Sequence, residues 1–163
     1  MAPLPDRSRP SLSSTLQRGI AAGATGVTAL NAVTYLDMAV RARPSSSAPE
    51  EAVEVTAHKA GVEIPGDDER RTNRLQGLGP LIGVATGVVA GGTTAMLQRW
   101  RPQMGFPMTA LLGGATAFLG ANAPMTALGM TDPTEWTASA WLEDIVPHLA
   151  YGLAAAAVIQ FRD

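Results

Sequence analysis

The stretch from Leu75 to Leu97, LQGLGPLIGVATGVVAGGTTAML, decides the fold predicted for this chain. It carries no charge, and glycine recurs in it at every fourth position. Residues four apart lie on one face of a helix. In a bilayer such a face without side chains lets a second helix approach closely. We therefore predict a transmembrane helix whose packing face consists of Gly79, Gly83, Gly87 and Gly91.

The composition is unusual for a soluble domain, although the mean hydropathy of +0.10 is low for a multi-span protein. Charged residues are sparse at 16% of the chain, and lysine occurs only at Lys59. A net charge of -2 gives no indication of nucleic-acid binding. The chain has no cysteine, which excludes disulfides, thiol nucleophiles and cysteine-ligated zinc.

Three further apolar runs flank the glycine stretch. A helix needs about 20 residues to cross the hydrocarbon core at about 1.5 Å per residue. The third run carries small residues at a spacing of four, beginning with Gly113. The chain is thus predicted to be all-α, a transmembrane four-helix bundle. The predicted spans are residues 19–40, 78–97, 107–128 and 145–161.

Two polar segments complete the predicted architecture. Residues 1–18 are a basic, disordered tail, with Ser13 or Ser14 as a helix cap. We expect no signal cleavage, since the following run is longer than a usual h-region. Residues 44–74 form a helical insert between spans one and two, with a capping box at Ser47-Ala48-Pro49-Glu50 and Gly61 as C-cap. Asp67 or Asp68 caps a helix that continues into the second span.

Basic residues predict the orientation in the membrane. The loop around Trp136 has no lysine or arginine and is expected outside, whereas Arg99 and Arg101 place their connection inside. Both termini are then cytoplasmic, in a multi-pass protein of the plasma membrane. The insert argues against this orientation, because the insert and the residues just before it would face outward with six basic residues. These are Arg41, Arg43, Lys59, Arg70, Arg71 and Arg74.

Asp37 is the first candidate for a functional polar residue. A carboxylate within a span is costly and is a functional candidate by default. It can form an interfacial ion pair with Arg41 at i+4, or it can bind an ion, a proton or a lipid headgroup. Thr28, Asn31 and Thr34 precede it at one-turn intervals. They are expected to hydrogen-bond a neighbouring helix, the alternative being that they line a pathway.

Asp144 and His148 are the second candidates, at i and i+4 near the start of the fourth span. They could form a proton relay or part of a metal site, or simply cap a helix at the interface. A metal site needs three or four ligands, and the sequence supplies no complete set. There is also no nucleophile motif, phosphate-binding loop or dinucleotide fingerprint. We therefore predict no cofactor, no metal and no enzymatic activity.

Two segments carry a resemblance to a known class of proteins. They are ALNAVTYLDMAVRARPSSSAPE (29–50) and AGVEIPGDDERRTNRLQGLGPLIG (60–83). These segments resemble small integral membrane proteins of actinobacteria that have no assigned activity. The resemblance implies a bacterial inner-membrane protein and supplies no catalytic residues.

The function expected from these observations is that of a non-enzymatic scaffold or accessory subunit packed through glycine faces. Its partners are expected to be the lipid bilayer and either other membrane proteins or a second copy of the chain, with no nucleic acid. The alternative is a small transporter or channel that uses Asp37 and neighbouring polar residues. Convergence of Asp37 and His148 around a cavity would favour that alternative.

Overall fold

The computed structural model describes residues 10–161 and shows an all-helical protein, with no strand in that range. The all-α prediction is therefore confirmed. Half of the predicted tail, residues 1–9, and the last two residues lie outside the described part. The helices are α1 (Leu12–Arg41), α2 (Ala48–Lys59), α3 (Asp68–Trp100), α4 (Phe106–Ala127) and α5 (Ala138–Gln160), with a 3₁₀ turn at Pro133–Glu135.

The four long helices α1, α3, α4 and α5 pack around a common core. Helix α1 contacts α3 and α5, and α4 contacts the same two helices from the other side. Neighbours are antiparallel: Gly19 of α1 lies beside Gly92 of α3, and Thr94 of α3 is 3.1 Å from Thr116 of α4, hydroxyl to hydroxyl. Residues 42–67 and 128–137 thus lie at one end of the bundle, here called the insert end. The start of α1, residues 101–105 and the end of α5 form the opposite, terminal end.

The core is built mainly from small side chains around one tyrosine. Tyr151 is fully buried, and its hydroxyl donates a 2.6 Å hydrogen bond to the carbonyl oxygen of Gly87. Its ring occupies the space where a Cβ on Gly26 would lie, 2.5 Å from the nearest ring atom. The other buried members of this cluster are Ala22, Ala90, Ala95, Ala117, Ala155 and Ile159.

Helix α1 begins earlier than the sequence predicts. It starts at Leu12, so that the later part of the predicted tail is helical. The N-cap is Ser11, whose hydroxyl accepts a 3.1 Å hydrogen bond from the amide of Ser14. The predicted caps, Ser13 and Ser14, are wrong because Ser11 already satisfies a free amide of the first turn.

The capping box predicted in the insert does not form, although α2 begins where expected. Ser47 occupies the N-cap position with helical dihedral angles (φ -86°, ψ -4°), whereas a capping side chain requires an extended backbone. Its hydroxyl instead donates to the carboxylate of Glu51 at 2.5 Å, and Ser46 accepts from the amide of Ala48 at 3.1 Å. Glu50 therefore has no reciprocal role at this helix start.

The other end of α2 and the start of α3 agree with the sequence. Gly61 has φ +69°, and the amide of Val62 donates to the carbonyl of Ala57 at 2.9 Å, which is a Schellman C-cap. Asp67 caps α3 by accepting from the amide of Arg70 at 2.9 Å. As predicted, α3 then continues without interruption from the insert through the glycine stretch.

Two of the long helices, α3 and α5, are long and apolar enough to cross a membrane, with mean hydropathies of 1.5 and 1.4 over their most apolar segments. Only 28% and 39% of these segments are buried inside the molecule. By length and composition, these two helices could cross a membrane.

Candidate functional site

Backbone contact between α1 and α3 occurs at glycines. A Cβ built on Gly91 would lie 2.5 Å from the carbonyl oxygen of Gly19 and from the Cα of Gly23, closer than real Cβ atoms approach other atoms. Gly87 faces Val27 of α1 and the ring of Tyr151. At these two positions of the predicted packing face, no side chain fits between the helices.

The other two glycines of that face have different surroundings. Gly79 lies against Pro49 and Glu50 of α2, not against another long helix. Gly83 is exposed, and a Cβ there would meet no atom within 4 Å, so its predicted packing role is wrong. Four residues rotate an α-helix by about 400°, so a spacing of four drifts around the helix. Gly83 consequently falls between the surface that meets α2 and the surface that meets α1.

Helices α4 and α5 also approach closely at small residues. The predicted Gly113 lies against Gly152, with a Cβ position 3.4 Å from the Cα of Gly152. The neighbouring Gly114 is tighter, at 2.8 Å from the carbonyl oxygen of His148, and Gly152 itself faces the carbonyl oxygen of Ala110. Sequence reasoning missed Gly114 and Gly152 because neither belongs to a run of glycines spaced by four.

Asp37 belongs to an ion cluster at the insert end. The predicted pair with Arg41 forms at 3.5 Å, and the guanidinium of Arg43 donates to the other carboxylate oxygen at 2.5 Å. Arg41 also reaches Glu143 of α5 at 2.8 Å, and the hydroxyl of Ser139 donates to Glu143 at 2.9 Å. The cluster thus joins the end of α1 to the start of α5.

The backbone at Ala42 brings Arg43 into this cluster. Ala42 has φ +50°, in the left-handed region, and the amide of Arg43 donates to the carbonyl of Met38 at 3.2 Å. The chain therefore folds back over the end of α1, which lets Arg43 reach Asp37. The hydrogen bond to Glu143 raises the pKa of Arg41 above its usual value.

Asp144 and His148 meet as their spacing predicts, and Asn122 of α4 joins them. The side-chain amide of Asn122 donates to a carboxylate oxygen of Asp144 at 2.7 Å. His148 Nδ1 lies 2.7 Å from the carbonyl oxygen of Asp144 and 3.3 Å from its carboxylate. Because a carbonyl only accepts, this contact places a proton on Nδ1. Asn122 and His148 are both buried, so this group fixes α4 against α5.

An aromatic cluster covers this polar group. The ring of Phe118 is 5.5 Å from His148 and 6.1 Å from Trp141, centroid to centroid, and Trp136 stacks edge-on against Trp141 at 4.9 Å. Trp136 and Trp141 therefore pack on each other as well as on Phe118. In the same loop, hydrogen bonds from the hydroxyl and amide of Thr134 lower the pKa of Asp132.

The polar residues upstream of Asp37 do not bridge helices as predicted. The hydroxyl of Thr28 donates to the carbonyl of Ala24 in its own helix, at 2.9 Å. Threonine satisfies its hydroxyl in this way wherever the preceding turn is available. Asn31 and Thr34 are half-buried on α1 and take no part in the side-chain hydrogen bonds found among residues 10–161.

Two cavities lie beside the long helices in the described part of the chain, and the candidate polar residues line neither of them. One cavity of about 490 Å³ lies between α2 and α3, lined by residues such as His58 and Arg71. A groove of about 330 Å³ lies between α4 and α5 and is lined by Phe106, Leu111 and Leu153, among others. Neither is lined by the predicted residues Asn31, Asp37, Asp144 and His148.

The chemistry available to these clusters is ion pairing and hydrogen bonding between helices. Within residues 10–161, no three acidic or histidine side chains are grouped closely enough to hold a metal ion. Comparison with known protein families, curated proteins and solved structures finds no match to this chain.

Proposed function

We propose that α1, α3, α4 and α5 span a bilayer as a four-helix bundle, and that the protein serves there as a non-enzymatic scaffold or accessory subunit. The observation that carries this proposal is the distribution of large and small apolar side chains. Seven of the eleven buried apolar residues are alanine. In a water-soluble bundle the large apolar residues would fill the core.

The large apolar side chains lie outside on each of the four helices. Leu36 of α1 is 64% exposed, Leu81 of α3 63%, Leu111 of α4 56% and Leu153 of α5 53%. Soluble monomers rarely expose apolar surface on this scale, whereas lipid chains solvate it. Small residues inside and large ones outside are the arrangement that helix association in lipid favours.

The resemblance of residues 29–50 and 60–83 to actinobacterial membrane proteins supports a bacterial plasma membrane as the location. A cytoplasmic terminal end is consistent with its arginines, Arg99 and Arg101, in the connection between α3 and α4. The termini would then be cytoplasmic, and the insert would lie on the outer surface. The close glycine contacts between α1 and α3 would hold these two spans together.

A scaffold agrees better with the polar clusters than a transporter does. Asp37 and Asp144 are engaged by partners from the same bundle, and Tyr151 fills its centre. A pathway would need polar groups that face a water-filled space. The exposed groove between α4 and α5 instead offers apolar surface toward the terminal end of the bundle, where another membrane helix could pack.

Photo-crosslinking tests the scaffold. A photoreactive amino acid at Leu153, in the groove, should give a discrete protein adduct in native membranes, either with another membrane protein or with a second copy. The same residue at Leu81, on the opposite helix α3, serves as the control. Adducts with lipid alone at both positions would contradict the scaffold. If proteoliposomes show a proton or ion flux that disappears in the Asp37→Asn variant, a transporter function would replace the proposed scaffold.

A further inference from the structure

The arginines of this protein fall into two groups according to their partners. At the insert end, Arg41 and Arg43 pair with Asp37, Arg70 pairs with Asp67 at 3.7 Å, and Arg71 pairs with Glu54 at 2.5 Å. Every Asp and Glu within residues 10–161 lies at or near this end. Arg74 and Lys59, also at this end, donate to the carbonyl oxygens of Pro65 and Leu128. The cationic groups there thus have partners within the protein itself.

The terminal end carries arginines without such partners. Arg99 and Arg101 lie at the end of α3, and Arg18 lies in the adjacent first turns of α1. Among the described residues, these three form none of the ion pairs. Within residues 10–161, one guanidinium nitrogen of Arg99, Nη1, is buried and has no hydrogen-bond partner. A buried donor without an acceptor is unfavourable.

A hydrogen-bond network next to these arginines fixes the terminal end. The amide of Gln160 donates to Thr109 at 2.6 Å and to the carbonyl of Met104 at 3.0 Å. Thr109 in turn donates to Gln98 at 2.6 Å, so α3, α4, α5 and their connection are tied together. Arg99 follows Gln98 directly, so this network holds the backbone at Arg99 in place. Less conformational entropy is therefore lost when a ligand binds.

We propose that Arg99 and Arg101, together with Arg18, bind the phosphate of an anionic phospholipid at the terminal end. Guanidinium groups match phosphate oxygens with paired hydrogen bonds. Trp100, between the two arginines, is 65% exposed, as expected of an indole at headgroup level. A lipid, rather than a free anion, fits because apolar side chains surround the helices below this level. The inference rests on the proposed membrane location.

Lipid-dependent thermal unfolding tests the proposal with the full-length protein in a mild nonionic detergent. Phosphatidylglycerol should raise the melting temperature more than phosphatidylcholine or inorganic phosphate does, since a ligand stabilises the state that binds it. Arg101→Gln, at an exposed position, should raise the half-saturating phosphatidylglycerol concentration roughly fivefold. Arg99→Gln combined with Arg101→Gln should raise it further. Arg70→Gln removes the same charge from the insert end and should change nothing.

An unchanged phosphatidylglycerol response in Arg101→Gln and in the double variant would overturn the proposal. An equal response to inorganic phosphate would overturn the choice of a lipid. If the double variant does not fold, native mass spectrometry of the wild type with both lipids decides the question. Retention of phosphatidylglycerol when phosphatidylcholine is lost supports the site. Loss of both lipids refutes it. Carbonate extraction separates the two proposals. Protein that remains in membranes yet ignores phosphatidylglycerol refutes only the lipid site, whereas soluble protein refutes the membrane location.

Discussion

A Gly91→Leu variant is expected to enter the membrane normally and to unfold at a much lower temperature than the wild type in detergent. Insertion survives because leucine is more apolar than glycine. Stability falls because the new side chain meets backbone atoms of Gly19 and Gly23, which cannot rotate away. Overpacking typically costs about 1–3 kcal/mol, and contact with backbone places this variant at or above the upper value. Even Gly91→Ala should destabilise the bundle.

Gly83→Leu is the matched control for this experiment. It makes the same substitution in the same helix, at the same four-residue spacing, but at a position where a Cβ would meet nothing within 4 Å. Its melting temperature should remain within a few degrees of the wild type, as for most surface substitutions. Equal losses in Gly83→Leu and Gly91→Leu would show that α1 and α3 do not touch at Gly91.

Tyr151→Ala should also have a large effect. The side chain is fully buried between α1, α3 and α5, where it contacts Gly26 and Gly87. Removing a large buried aromatic side chain typically costs about 3–5 kcal/mol, because the cavity that remains cannot collapse completely. Gly26 and Gly87, which contact the ring, have no side chains that could fill the space. Thermal unfolding in detergent measures the loss.

Two further variants separate the packing of Tyr151 from its hydrogen bond. Tyr151→Phe keeps the ring and removes only the bond to the carbonyl of Gly87, so a loss of about 0.5–1.5 kcal/mol is expected. Tyr35→Ala removes a tyrosine that is 62% exposed on α1 and should cost little. If Tyr151→Ala were no worse than Tyr35→Ala, the ring could not be the centre of the core.

The sequence predicts the helices well because their signals are local. Apolar run length, the cap at Asp67 and the left-handed glycine at position 61 each depend on a few neighbouring residues. The start of α1 is harder to predict, because several serines near it could each serve as the N-cap. The capping box failed for a similar reason: the motif letters are present, yet the backbone at Ser47 has helical angles.

Contacts between distant residues are less accessible to sequence reasoning. The pair of Asp37 with Arg41 follows from i,i+4 spacing, but its link to Glu143 requires knowing that α1 ends beside the start of α5. Asn122 joins Asp144 for the same reason. At Gly83 the sequence instead predicts a contact that does not form, since a regular spacing of glycines cannot reveal where a neighbouring helix begins or ends.

The most direct test of the four-span bundle is the accessibility of single cysteines introduced into this naturally cysteine-free chain. Suitable exposed positions are Glu63 in the insert, Glu135 in the loop before α5 and Gln103 between α3 and α4. A membrane-impermeant maleimide applied to intact spheroplasts should label Glu63→Cys and Glu135→Cys, and should label Gln103→Cys only after permeabilisation. Labelling of Gln103→Cys from the same side as Glu63→Cys would contradict a bundle whose two ends lie on opposite sides of a membrane.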